Sequence, residues 1–568
     1  MKSETSHFFF RYIASKLRHT FLPVLLKSAG FFIPMCIGFL QVNAQDSLSL
    51  SDLSSFKQAS PSWHISGAVK ADLNTANKLT FSSGSGILVN APDGDHAGVD
   101  LYSTKEYGDM DVELDYMMAK GSNSGIYLQG RYEIQLLDSW GVVTSKPGDN
   151  GGIYERWDES KPAGQNGYQG YAPRQSVSKA PGLWQHLKIS FLAPRFDAAG
   201  KKIANAKMTR VELNGVVIHD NIELFGPTRG GGEEEKSTGP IRIQGDHGAV
   251  AFRNIVFTNY SNPKPQLKNL QYSVYKGLYE DEPKTYEKLR TLEKGQMIQL
   301  TSNLSKLPDT FLIRYTGALT VNTGGEYTFN MFTSAGKGLL KIDGQVVTPF
   351  STRRRGTTKI VLPEGEHSFE LLYSKFMDWG RPAVNLSVAG PGIREYLLSD
   401  ANIPAGGDPV DPILIEANTN TLLRSFMDIK GKRVTHAVSV GSPTGVHYTY
   451  DMDNAAIVQV WRGGFLDATP MWHERGDGSS RPMGSAQRFG FPVLGVAKIS
   501  SQADKWPTDT VGSGYRPKGY SLDDQDRPVF SNILYGSLVT DAIQVSKDNY
   551  GITREITLKK PTVNLFVK

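Results

Sequence analysis

GSNSGIYLQGRYEIQLLD, running from Gly121 to Asp138, alternates with the period of a β-strand. Ile126, Leu128, Tyr132, Ile134 and Leu136 are apolar, and Tyr127, Gln129, Arg131, Glu133 and Gln135 stand between them. One face therefore enters a core. The other gathers hydrogen-bonding and ionisable groups in place of the Lys, Thr and Ser of a merely solvated strand, which is the lining expected of a polyol-binding cleft. A second run, GPIRIQGDHGAVAFRNI from Gly239 to Ile255, supplies more such groups.

At 568 residues the chain exceeds a single core, so several domains are expected. Its 58 glycines, 10% aromatic and 21% charged residues suit a turn-rich, all-β protein. Lys2, Arg11, Lys16, Arg18 and Lys27 precede the apolar stretch from Ala29 to Leu40, and Val42-Asn43-Ala44 follows. This order predicts a secretory signal peptide over residues 1–44. A membrane anchor needs ~20 uninterrupted apolar residues, and Pro34, Gln41 and Asn43 break the run. The expected product is an exported protein of the periplasm, cell surface or medium, with no transmembrane segment in the mature chain.

The single cysteine, Cys36, lies in that leader, so neither a disulfide nor a CxxCH haem site is expected beyond it. The leader also carries five cations against one acid, Glu4, and thus most of the net charge of +5. The remainder is too weakly basic to point to nucleic acid, and no nucleic-acid-binding motif is evident.

From residue 45 to 262 short alternating segments recur, including Asp111–Met117, Leu187–Leu192, Met208–Leu213 and Val250–Phe257. Asn214-Gly215 marks a hairpin, and the whole predicts a sandwich. The linker Ser261-Asn262-Pro263-Lys264-Pro265 opens a second set of strands over 266–400, among them Glu326–Phe332, Leu339–Ile342 and His367–Tyr373. Another boundary falls near Ala405–Pro409, and 408–568 is expected to be a β-rich third domain whose last strands run on with no terminating loop, as an incomplete domain would.

The first domain resembles the 3-keto-disaccharide hydrolase family, a concanavalin-like jelly roll acting on 3-keto-glycosides. NSGIYLQGRYEIQLLD, GGIY (Gly151–Tyr154), PGLWQHLKI (Pro181–Ile189) and GPIRIQGDHGAVAFRNI carry the likeness, in order across about 200 residues. The resemblance implies a carbohydrate substrate whose 3-keto group acidifies the C2 hydrogen, so that a base forms an enolate that expels the C1 substituent before water adds. Such a site needs a base, oxyanion donors, an acid and groups that orient the ring.

Glu133, Gln135 and Asp138 would share a face if one β-bulge intervened. The order is similar to the carboxylate strand of concanavalin-like glycosidases, with Gln135 in place of one carboxylate. Glu133 is assigned as base, Asp138 as acid or orienter, and Arg131, Gln244 or His247 as oxyanion donors; a solvated strand face bridged to Arg131 is the bland alternative. His247 could equally be a turn residue capped by Asp246. Asn123 and Ser124 could bind hydroxyls or merely turn the chain, and of the aromatics Tyr127, Trp140 and Tyr154 that could stack on a sugar, Tyr127 and Tyr154 are favoured as site residues. Trp184 reads as core, and Arg253 as a brace beneath the site. Glu133, Asp138, Asp246 and His247 together could also hold a divalent metal.

The second domain looks like a PA14 module on the residues GGEYTFNMFTSAGKGLLKIDGQVV, Gly324 to Val347. Sugar-binding members hold Ca²⁺ with adjacent aspartates where this chain has Ser334-Ala335, so cell-surface or protein contact is the expectation. The third domain is similar, over Val460–Gly484, to regions of large exported proteins that carry c-type cytochrome domains. Two rival functions remain: a non-catalytic glycan-binding or adhesion protein, and a glycosidase of ordinary β-glucans, which requires a second carboxylate about 5 Å or more from Glu133.

Overall fold

The computed structural model describes residues 45–57, 59–232, 234–351, 356–400, 411–473, 478–501, 503–549, 551–560 and 562–568. The expected leader 1–44 and the boundary near Ala405–Pro409 lie outside them. The protein is all-β, with 54% of residues in strands and 1% in helix. Among the described residues no helix is long and apolar enough to cross a membrane.

Two antiparallel sheets form the first sandwich. The larger runs, in spatial order, Val216–Leu224, Ala206–Leu213, Gln185–Leu192, Met110–Met118, Val250–Asn259, Leu79–Asn90 and Trp63–Ala71, with Gln45–Ser47 added beside Val250–Asn259. The smaller has the order Phe56–Lys57, Leu101–Tyr107, Gly239–Ile243, Asn123–Leu128, Tyr132–Leu137. Apolar side chains alternate inward from both. Ile126, Leu128, Tyr132, Ile134, Leu136, Ile241 and Ile243 meet Leu114, Tyr116, Ile189, Phe191 and Phe252 in one core. Asn214 and Gly215 adopt the left-handed φ values, 54° and 81°, that a tight hairpin requires.

A six-stranded and a four-stranded sheet spanning Gln266–Leu397 enclose the second core, in which Tyr315 and Leu371 face Phe329 and Leu386. Ala335, the second residue of the Ser334-Ala335 pair, turns the chain between strands with φ 54°. In the third region the strands Lys432–Gly441 and Val446–Asp451 pack on Pro528–Leu534 and Ser537–Val545, and Tyr450 stacks on Phe530 with centroids 3.8 Å apart.

The first two sandwiches are fastened by Arg394. Its guanidinium pairs with Asp111 at 2.7 Å and donates to the carbonyls of Met110 and Phe191 in the larger sheet. Tyr260 donates to the same aspartate at 2.9 Å.

Candidate active site

The strands Asn123–Leu128 and Tyr132–Leu137 form a hairpin in unbroken register, Tyr127 opposite Glu133 and Gly125 opposite Gln135. Gln129 and Gly130 reverse the chain with φ of 54° and 68°. Arg242, on Gly239–Ile243, lies opposite Tyr127 on the other flank. Strand alternation thus sets Tyr127, Glu133, Gln135 and Arg242 on the face away from the core.

That face is more enclosed than the sequence pattern predicts. Tyr127 and Glu133 are each 2% exposed. The edge of Tyr132–Leu137 is covered by residues 151–154, which exchange backbone hydrogen bonds with Gln135 and Glu133. The loop at residues 226–232 completes the cover: Thr228 Oγ1 accepts from the Glu133 amide, and a β-carbon at Gly230 would lie 3.5 Å from the Tyr127 hydroxyl.

Glu133 fits there because Gly125 has no side chain; a β-carbon at Gly125 would stand 2.2 Å from Glu133 Oε1. Burial pushes the carboxyl up to about 8, opposed by the Tyr127 hydrogen bond and the Arg242 cation and reinforced by the charges of Asp100 and Asp246. Burial and the adjacent carboxyl in turn hold the Tyr127 hydroxyl firmly protonated. Arg242 lies 4.0 Å from the Tyr127 ring centroid, pairs with Asp100 Oδ2 at 2.7 Å and donates to the Gly230 carbonyl at 2.6 Å. A carboxyl so held can exchange a proton near neutral pH, beside a phenol and a fixed cation.

The other sequence-derived candidates divide. Gln135 Nε2 donates to Asn123 Oδ1 at 2.9 Å, which places two amides along the Glu133 face. Gln244 follows Arg242 on the same strand side; its amide donates to the Gly125 carbonyl, and its buried Oε1 has no partner. Ser124 Oγ donates to the Gln244 carbonyl and is structural. Tyr154 is half-buried and donates its amide to the Glu133 carbonyl. His247 is exposed and its Nδ1 lies 2.5 Å from Asp246 Oδ1, the turn-type pairing.

Asp138 and Arg131 are engaged elsewhere. No bulge interrupts the hairpin, so Asp138 is not carried onto the face of Glu133; its carboxylate accepts the Gly121 and Trp140 amides. Arg131, at the hairpin tip, donates to the carbonyls of Gln129 in the turn and Glu234 just beyond the covering loop. Arg253 braces the larger sheet instead, 4.0 Å over the Trp184 ring and paired with Asp115 at 3.2 Å. Among the described residues no three His, Cys, Asp or Glu side chains are grouped as metal ligands would be. Arg242 and Asp100 went unassigned in the sequence. The Arg-x-Gln alternation of Arg242 with Gln244 was the available signal for the first, whereas Asp100 is brought in by strand pairing alone.

The first domain is thus a two-sheet sandwich with a buried carboxyl on the outward face of its smaller sheet. Residues 51–258 match the family model described as a 3-keto-alpha-glucoside-1,2-lyase-like domain. Among solved structures, a candidate glycosyl hydrolase from Parabacteroides distasonis is 24% identical over 36% of this chain and 84% of its own, with a TM-score of 0.25. A second from the same organism is 22% identical over 31% and 89%, with a TM-score of 0.22. No curated protein matches the chain.

Proposed function

We propose that the first domain cleaves 3-keto-glycosides, with Glu133 as the base that removes the C2 proton. The observation that carries this reading is the enclosed Glu133 carboxyl, raised to about 8 and hydrogen-bonded by Tyr127. Its neighbour along the strand is Gln135, an amide held by Asn123, where a double-displacement glycosidase would use a carboxylate. A ketone-activated substrate needs no such partner: loss of the C2 proton forms an enolate, and its electron pair then closes C1=C2 as the C1–O bond breaks. Water adds at C1 of the resulting enone and C2 regains a proton.

Arg242 and the Tyr127 hydroxyl supply positive potential and a donor for the enolate oxygen. Asn123, Gln135 and Gln244 present amides suited to ring hydroxyls. Entry requires the loop at 226–232 to swing aside and to return over the bound substrate, and Gly230, Gly231 and Gly232 give it the backbone freedom to do so.

Turnover of a 3-keto-glucoside in D₂O tests the chemistry. Deuterium at C2 of the released sugar, above the enzyme-free control, is the expected result; a retained C2 proton would indicate direct hydrolysis. With an exported leader and two further sandwiches, such a domain would act outside the cytoplasm while the others serve attachment or presentation. A purely glycan-binding role would instead show as tight binding of an unoxidised glycan with no product from any keto-sugar.

A further inference from the structure

We infer that Arg229 and Trp157 form a leaving-group subsite selective for aromatic aglycones, an inference that rests on the cleavage reading above. The Arg229 guanidinium lies 3.7 Å from the Trp157 ring centroid, and the arginine is exposed. The pair is joined to the reacting groups through the backbone. The Arg229 carbonyl lies 3.5 Å from the Tyr127 hydroxyl, and its amide donates to Glu155 at 2.8 Å, one residue beyond Tyr154.

The hairpin register gives the site two ends. Asn123 and Gln135 occupy the open end of the hairpin, Tyr127 and Glu133 lie further along, and the loop bearing Arg229 crosses near the tip. Amides at one end match a sugar ring. At the other, a planar cation backed by an indole matches a second planar π-system rather than a hydroxyl-covered ring. The chemistry favours the same class of substrate. Asp138 is engaged with backbone amides, so a departing oxygen that carries its own electron pair away as a phenolate suits this site better than a sugar alkoxide.

The test compares the full chain with Arg229→Gln and Trp157→Ala on phenyl and cyclohexyl 3-keto-glucosides, which differ in aromaticity at similar size. The phenyl-to-cyclohexyl ratio of kcat/KM is expected to fall about five- to tenfold in both variants, because only the phenyl ring loses a stacking partner. An unchanged ratio, or equal losses on both substrates, would overturn the subsite. Calorimetric binding of both compounds to Glu133→Gln, with and without Arg229→Gln, reads the same preference without turnover. Preferential phenyl binding that depends on Arg229, in a wild-type protein that cleaves neither compound, would refute the cleavage reading and leave the subsite standing. Cleavage of both with no Arg229-dependent preference would do the reverse.

Discussion

Glu133 occupies the space that Gly125 leaves on the opposing strand, so near that a β-carbon at Gly125 would stand 2.2 Å from Glu133 Oε1. Gly125→Ala is therefore expected to force the carboxyl from its place between Gly125 and Tyr127. Overpacking of this kind costs about 1–3 kcal/mol of stability. Activity on a 3-keto-glucoside should fall at least about a hundredfold, as misplacement of a reacting group does, while the circular dichroism remains that of a β-protein. Near wild-type turnover would show that Glu133 works from another position.

Protonation of Glu133 links activity to pH. As a base it must be ionised, so kcat/KM should rise with pH and level off near 8, the value to which burial raises it. The stability consequence has the opposite slope. Between the ordinary 4.5 and about 8 the folded state keeps a proton that the unfolded state releases, so this contribution is full below 4.5 and is lost as pH rises to 8. Glu133→Gln abolishes that titration. Its stability relative to wild type should improve by on the order of 4 kcal/mol between pH 4.5 and 8.5, measured by denaturant unfolding; parallel pH curves would deny the raised value.

Two arginines separate structural from chemical roles. Arg242 faces Tyr127 and Asp100, and Arg242→Met should lower kcat about a hundredfold or more through loss of a fixed positive charge beside the enolate. Arg131 is occupied by the backbone carbonyls of Gln129 in the hairpin turn and of Glu234 just beyond the covering loop. Arg131→Met should lower the melting temperature by a few degrees, equivalent to about 1 kcal/mol, and change kcat less than tenfold. Reversal of that order would restore Arg131 as the oxyanion donor.

The alternation in GSNSGIYLQGRYEIQLLD was enough to assign Ile126, Leu128, Tyr132, Ile134 and Leu136 to the core, because a period of two fixes which side chains share a face. It also put Tyr127, Glu133 and Gln135 together. It could not show that residues 151–154 pair along the edge of that hairpin or that residues 226–232 close against Glu133 and Tyr127, since contacts with distant loops leave no periodic trace. Asp138 illustrates the same limit: its placement beside Glu133 depended on a bulge, and the strands pair without one. Arg242 stood in a quoted motif, yet its importance arises from lying opposite Tyr127, a relation set by pairing of strands more than a hundred residues apart in sequence.

Arg394 fixes the first two sandwiches to each other through Asp111 and two backbone carbonyls. Arg394→Ala should destabilise the protein by about 2 kcal/mol, because Asp111 would lose its charged partner, and should split a shared unfolding transition into two in calorimetry. A single transition at the wild-type temperature would mean that other contacts suffice.

The most direct measurement is sugar release by the purified protein from a 3-keto-glucoside and from its unoxidised parent, each repeated with Glu133→Gln. Release from the keto compound alone, reduced at least about a hundredfold in the variant, is the predicted result. Release from the unoxidised parent at a comparable rate, or full activity in Glu133→Gln, would contradict a ketone-dependent elimination centred on Glu133.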